Sequence, residues 1–310
     1  LINSIRINRF SIIMSEDNLI AFIYNSQVPE TKVKAEEIIG SLGLEKGSWL
    51  SSAGNLSDNT DKLRATYLVI VVGGDGTILR SVRVISPFEL PVVGIKLGKV
   101  GFMAELSPEE AVSALPKYIN YESSPNNGIR TERRMMIQAD VIPTKGGTPR
   151  LSIHALNDIT VGSRKVSRLV ELEASVNHVH LTNYRADAVI VSTATGSTGY
   201  ALSAGGPIVF PEAQMMILQP VAAHTGLRDA LVLDPTSTVS LEASESYLAS
   251  ISADGFVDSE VQPGEKVIVT RSPYDARFLR SEKPDFFYTA LNMRLGLAYR
   301  SQRPPEGPLE

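Results

Sequence analysis

The 310-residue chain has no cysteine, which excludes disulfides and thiolate metal sites and fits a reducing cytosol. No apolar run approaches the ~18 to 20 residues of a membrane span, and no repeat of fixed period or low-complexity tract stands out. Positive charge is not in excess: 30 Lys and Arg face 34 Asp and Glu, for a formal charge of −4. A general nucleic-acid binder is therefore excluded, while small anions held by local clusters and backbone amides are not. The nucleotide motifs of other enzymes are also missing. There is no G-x-x-x-x-G-K-[ST], no G-x-G-x-x-G opening a helix, no H-R-D catalytic loop and no G-x-S-x-G elbow. Asp254-Gly255-Phe256 is D-G-F, not the D-F-G of protein kinases. What remains is a globular protein, 43% hydrophobic and 21% charged, with room for two domains.

Strand and helix signals alternate in the first third. Leu19–Tyr24 reads as a buried strand, and Ala35, Ile38, Ile39 and Leu42 then fall at helical spacing before Gly43. Residues 51–62 are rich in Ser, Asn, Asp and Gly and read as loop. Leu68–Val72 is continuously apolar, as in a parallel strand covered on both faces. It runs into Gly73-Gly74-Asp75-Gly76-Thr77, a helical pattern over 78–85 and a further strand at Pro91–Ile95, which makes a βαβ unit. From about residue 130 the period changes to two. Glu171, Glu173 and Ser175 separate Val170, Leu172, Ala174 and Val176, residues 143–149 read as a hairpin turn, and short strand-like runs follow at 188–191, 215–218, 230–233 and 266–270. The expected fold is an α/β N-terminal domain with a Rossmann-like parallel sheet, followed by a mainly β C-terminal domain. Residues 1–18 are expected to be an extension, 19–125 the α/β domain and 126–284 the β-rich domain, with 285–305 a candidate to pack back on the first.

Gly73–Thr77 is the strongest chemical feature. Glycines permit positive φ and close approach of a ligand, and the amides of the following helix can bind phosphate oxygens. Asp75 is the odd member, because a carboxylate repels phosphate unless it binds a metal, orients a nucleophile or takes its proton. A bare turn with a helix cap would carry the same string. Ser192–Tyr200 with Ala201–Pro207 is a second run of glycines and hydroxyls, able to let a ligand lie flat on backbone or simply to form a capped loop. Asn157-Asp158 interrupts the apolar stretch 155–161, as a ribose- or amide-recognising pair or a buried bulge would. His178 and His180, expected to share one strand face, read as ordinary residues rather than zinc ligands. Lys96, Lys99, Arg133 and Arg134 gather near the expected domain junction.

Taken together and in order, Gly73–Thr77 (GGDGT), Gly94–Leu106 (GIKLGKVGFMAEL), Thr131–Met136 (TERRMM), Leu156–Ile159 (LNDI), Ala186–Tyr200 (ADAVIVSTATGSTGY) and Ser203–Val209 (SAGGPIV) resemble the NAD kinase family, over roughly residues 19 to 300. The resemblance implies an ATP-dependent phosphotransferase with an alcohol acceptor, cytoplasmic and homo-oligomeric (dimer or tetramer), which uses NAD, ATP and Mg²⁺ as MgATP, with no metal held by the protein, no nucleic acid and no membrane. It makes Asp75 the catalytic base, with Gly73, Gly74, Gly76 and Thr77 around phosphate and ribose. Asn157, Asp158, Arg185, Asp187, Thr195, Gly196, Ser197, Thr198, Gly199, Tyr200 and Ser203 fall on NAD-contacting positions, as does Arg168 more weakly, and part of that site is completed across a subunit interface. Lys96 stands where the family commonly has Asn, Ala188 where it has Gly, Ala194 Pro, Gly199 Ala and Phe256 Gln. Lipid kinases of the diacylglycerol type share a GGDG turn, and a non-catalytic NAD(H)-binding sensor would share the pocket.

Overall fold

In the computed structural model, which describes residues 18–97, 102–123, 127–163, 169–244 and 248–295, the chain begins as βαβ units. The extension expected before residue 18 lies outside the described residues. Strand β1 (Leu19–Tyr24), helix α1 (Pro29–Leu42), β2 (Ser48–Ser52), α2 (Thr60–Arg64), β3 (Thr66–Val72), α3 (Asp75–Ile85), β4 (Pro91–Ile95) and α4 (Pro108–Ile119) form the first half. Residues 51–62 are thus not plain loop: they hold the end of β2, a 3₁₀ turn at Leu56–Asn59 and the start of α2. β2 was hidden because its SWLSS sequence offers only two apolar residues, and pairing with β1 satisfies its backbone.

The parallel order is β2-β1-β3-β4. Along β3, Leu68, Ile70 and Val72 face one apolar cluster with Ile38, Leu115 and Tyr118, whereas Val69 and Val71 face another with Ile78, Val82 and Ile85 of α3. Burial on both faces is why the run is continuously apolar. α4 starts on a capping box, with Ser107 accepting from the Glu110 amide and Glu110 accepting from that of Ser107.

The second half comprises β5 (Arg130–Ile142), β6 (Leu151–Ala155), β7 (Asp158–Ser163), β8 (Val170–Val176), β9 (Val179–Ala186), β10 (Ala188–Thr193), α5 (Tyr200–Ser203), β11 (Met216–Val221), β12 (Leu231–Leu233), β13 (Val239–Ala243), β14 (Ala249–Ala253), β15 (Phe256–Val261), β16 (Lys266–Arg280) and α6 (Phe286–Arg294). Six of these strands make an antiparallel sheet in the order β12-β11-β10-β7-β14-β15. It packs on β5, β8, β13 and β16 through Ile137, Val141, Val161, Leu172, Val189, Leu218, Ile251 and Val267. His178 is in the β8–β9 turn at φ 66, not on a strand face with His180, because Asn177 and His178 both take the left-handed conformation that closes the hairpin.

One strand belongs to both halves. β16 pairs with β5 along its length, with β13 near its start and, in parallel, with β4 through Arg277 and Phe278. The parallel and antiparallel parts therefore form a single mixed ten-stranded sheet.

Candidate active site

The chain runs from β1 outward to β2 and then returns to the other side of β1 for β3, so the strand order reverses between β1 and β3. Ligands bind beyond the carboxyl ends of strands at such a switch. A cleft of about 270 Å³ lies there, lined by Asn25 and Gln27 after β1, Gly54 after β2, Gly74, Gly76 and Thr77 after β3, and Arg80 and Phe256.

The GGDGT turn differs from expectation in one respect. None of its glycines has positive φ. Gly73 is required by packing, since a Cβ there would lie 2.7 Å from Thr77 Oγ1, while side chains at Gly74 or Gly76 would meet only open space. That space is the cleft. Gly74 is extended (φ −84, ψ 177) and α3 begins at Asp75 with no side-chain cap, so its first amides are left to a ligand or to water. The Gly73 amide bonds Ile95 O at 2.8 Å, which draws the ends of β3 and β4 together and brings Lys96 beside Asp75.

Asn157 lies in the break between β6 and β7, and Asp158 opens β7. Leu156, just before them, is buried in the same apolar cluster as Ile78 and Val82 of α3, so the corner sits against the helix that starts with Asp75. The Asn157 carbonyl accepts from the Thr193 amide at 2.9 Å and from Ser192 Oγ at 3.2 Å. Gly196 lies so close that a Cβ on it would be 2.1 Å from that carbonyl oxygen. The second glycine-rich run, a 3₁₀ turn at Gly196–Thr198 leading into α5, is thereby fastened to the Asn157 corner.

Among the described residues six buried side-chain polar atoms lack a hydrogen-bond partner, and three of them are Asp75 Oδ1, Asn157 Oδ1 and Thr195 Oγ1. Such groups cost free energy unless something bonds them. Three of the six thus fall at positions chosen from sequence, where a ligand would bond them. Other expected members divide. Thr198, Gly199, Tyr200 and Ser203 line the accessible side of the turn, with Tyr200 45% exposed. Ser197 is fully buried, its hydroxyl donating to Ala194 O at 2.7 Å and accepting from the Val209 amide at 3.0 Å. It holds the turn's shape. Arg185, in β9, and Asp187, just before β10, are exposed, and Asp187 is six residues, about 20 Å along the strand, from Thr193. Arg168 and Lys99 lie outside the described residues.

Sequence reading missed Asp254, at the tip of the β14–β15 hairpin. Its buried carboxylate accepts the amides of Leu156 (3.0 Å), Asn157 (2.6 Å) and Asp158 (3.3 Å), and its own amide donates to Asp158 O at 2.9 Å. Burial pushes the Asp254 carboxyl up to about 7, against the pull of those amides, and burial pushes Asp158 up to about 6. The available signal was Asp-Gly between two alternating runs, a hairpin turn in which Asp254 takes φ 53. The same hairpin grips α3. Arg83 pairs with Asp258 at 2.8 Å, and the Arg80 guanidinium lies 4.4 Å over the Phe256 ring.

Of the cationic cluster, Lys96 reaches Asp75, whereas Arg134 is buried in an ion network. Burial alone would raise the Glu132 carboxyl, but Arg134, Arg280 and Arg130 overcome it and hold it at about 2. The network ties down the segment after β4, since Arg134 donates to Phe102 O at 3.4 Å, and Arg280 to Met103 O and Glu105 at 3.0 Å each.

Comparison with known proteins gives the family. The profile of the ATP-NAD kinase N-terminal domain matches residues 20–123, and that of the ATP-NAD kinase C-terminal domain residues 156–281. The NAD kinase of Dehalococcoides mccartyi strain CBDB1 is 36% identical over 279 residues, which cover 89% of this chain and 95% of that protein. The NAD kinase of Chloroflexus aurantiacus strain J-10-fl is 38% identical over 229 residues, 74% of this chain and 80% of that one. In structure, an NAD kinase from Archaeoglobus fulgidus in complex with ATP superposes with a TM-score of 0.66 at 26% identity, over 88% of this chain and 98% of that chain. Yeast NADH kinase complexed with NADH shares the fold, with a TM-score of 0.79 at 21% identity over 93% and 90%. With relatives this similar over nearly their whole length, the chain belongs to the NAD kinase family.

Proposed function

We propose that the chain transfers the γ-phosphoryl group of ATP to the 2′-hydroxyl of the adenosine ribose of NAD, giving NADP and ADP. The observation that carries the reading is Asp75 Oδ1, buried without a hydrogen-bond partner between Gly74 and Gly76, which have open space beside them. An alcohol is too weak an acid to ionise beforehand. A carboxylate oxygen with nothing bonded to it can accept the hydroxyl, align its oxygen in line with the γ-phosphorus and take the proton as the new bond forms.

The donor is assigned to the cleft of the 19–125 half, where the uncapped amides of α3 suit phosphate oxygens. Mg²⁺ enters as part of the MgATP substrate, bridging phosphate oxygens. Among the described residues no three His, Asp or Glu side chains gather as a metal site. NAD is assigned mainly to residues 126–284. Asn157 and Asp158 meet its ribose or amide groups, and the turn from Thr195 to Ser203 meets its rings, with Thr195 Oγ1 available to bond it. Arg185 and Asp187 serve the NAD of a neighbouring copy, so the active form is a homo-oligomer. Their exposure supports this. No described helix is long and apolar enough to cross a membrane, and a cytoplasmic setting supplies both nucleotides.

The test is NADP formation from NAD and MgATP, followed with an NADP-specific dehydrogenase, for the wild type and Asp75→Asn. The variant should bind NAD within about threefold of wild type and lose roughly 10²- to 10⁴-fold in turnover. Full turnover in Asp75→Asn would remove the base from the mechanism.

A further inference from the structure

Two cations from distant parts of the chain converge on Asp75. Lys96, the residue after β4, places Nζ 3.8 Å from Oδ1, and Arg294, in the last turn of α6, places a guanidinium nitrogen 3.8 Å from Oδ2. Neither separation is a hydrogen bond, so the carboxylate is flanked by charge rather than clamped. Two cations and the positive end of an eleven-residue helix stand against one carboxylate. The surplus around Asp75 is positive, and Asp75 stands between Gly74 and Gly76, whose Cα positions have open space beside them, which suits an anion.

The position of Arg294 is built by aromatic contacts. α6 contains no buried residue. It is held through Phe287, whose ring lies 6.1 Å from that of Phe102 and edge-on to Phe210 at 5.6 Å, and through Tyr288 stacked on Phe210 at 6.3 Å. Two turns later the Arg294 guanidinium lies 4.3 Å over the Phe102 ring. Phe102 is itself tied by its carbonyl to the buried Arg134. A planar cation stacked on an anchored ring keeps its edge N–H groups free for an oxygen ligand.

We propose that Lys96 and Arg294 are catalytic residues that contact the non-bridging oxygens of the γ-phosphoryl group in flight, Arg294 acting as an arginine finger supplied by the chain's own C-terminal helix. This rests on the kinase reading above. In the step, the bond from the 2′-oxygen to phosphorus forms and the bond from phosphorus to the β,γ-bridging oxygen breaks. ADP leaves with that electron pair, and the hydroxyl proton passes to Asp75. Charge spread over the three phosphoryl oxygens is what the two cations meet. Lys96 gives this chain a cation where its family commonly has the neutral Asn.

The full-length chain is compared with Arg294→Ala, Arg294→Lys and Lys96→Asn by steady-state kinetics, with NAD affinity measured calorimetrically without ATP. Arg294→Ala should lower kcat about 100-fold and Lys96→Asn about tenfold, with the NAD Kd within about twofold of wild type. Millimolar guanidinium ion should restore part of the kcat of Arg294→Ala, and Arg294→Lys should retain an intermediate rate. Guanidinium should do nothing for the wild type or for Asp75→Asn. Wild-type kcat in Arg294→Ala, or a loss that guanidinium leaves unchanged, overturns the assignment. A wild-type chain that makes no NADP overturns the kinase reading together with this one, whereas an active chain indifferent to Arg294→Ala overturns this one alone.

Discussion

The carboxylate of Asp254 accepts the backbone N–H of Asn157 at 2.6 Å, and this bond joins the hairpin that grips α3 to the corner that presents the Asn157 side chain. Replacing Asp254 with Asn puts an NH₂ group where one oxygen accepted an amide, leaving a buried N–H facing a donor. The variant should lose about 1–3 kcal/mol of stability in urea unfolding. Its KM for NAD should rise about tenfold as the corner loosens, more than kcat falls.

Asp158 and Asp254 set the neutral side of the pH response. Burial pushes their carboxyls up to about 6 and about 7, so both hold a proton more tightly folded than unfolded. Their contribution to stability is complete below about pH 4 and is lost as pH rises through 6 to 7, as one broad coupled titration. Asp158→Asn should make the decline between pH 4 and 7 shallower, by up to about 3 kcal/mol. Urea unfolding at a series of pH values measures it; parallel wild-type and variant curves would contradict it.

Glu132 acts in the opposite direction. Burial raises its carboxyl, but the attraction of Arg134, Arg280 and Arg130 is larger and holds it at about 2. Its stabilisation is present above pH 4.5 and lost as pH falls from 4.5 to 2, an effect on the order of 3 kcal/mol. Glu132→Gln should abolish that acid limb and cost about 3–5 kcal/mol at pH 7, because Arg134 stays buried without its carboxylate and Arg280 keeps only Glu105.

Gly196→Ala tests the fastening of the glycine-rich turn. A methyl group 2.1 Å from Asn157 O cannot be accommodated unless the turn moves away from β7. A loss of about 3 kcal/mol in unfolding free energy is expected, with NAD binding lost alongside it. Gly74→Ala, which meets open space, should leave stability within about 1 kcal/mol of wild type.

The first half was legible because its signals are local. A doubly buried strand such as Leu68–Val72 reads as an apolar run, and the helix facing it shows apolar residues at helical spacing. β2 was not legible, since Ser48 to Ser52 become a strand only through pairing with β1. Nor was the length of β16, whose Arg271–Asp275 register shift breaks the alternation halfway. Of the two reasons read for the glycines of Gly73–Thr77, positive φ and close approach of a ligand, the first fails, since none of them takes positive φ, while Gly74 and Gly76 do leave open space.

Residue order alone determined the family resemblance, the two-part fold class and the choice of Asp75, Asn157 and Thr195, because those depend on short stretches whose chemistry is visible in place. Tertiary structure decided what surrounds them. That Lys96 and Arg294, separated by almost two hundred residues, meet at Asp75 and that Asp254 holds the Asn157 corner are consequences of sheet order and chain reversal. Contacts between residues distant in sequence leave no periodic trace in it, since each is paid for by packing of the elements between them.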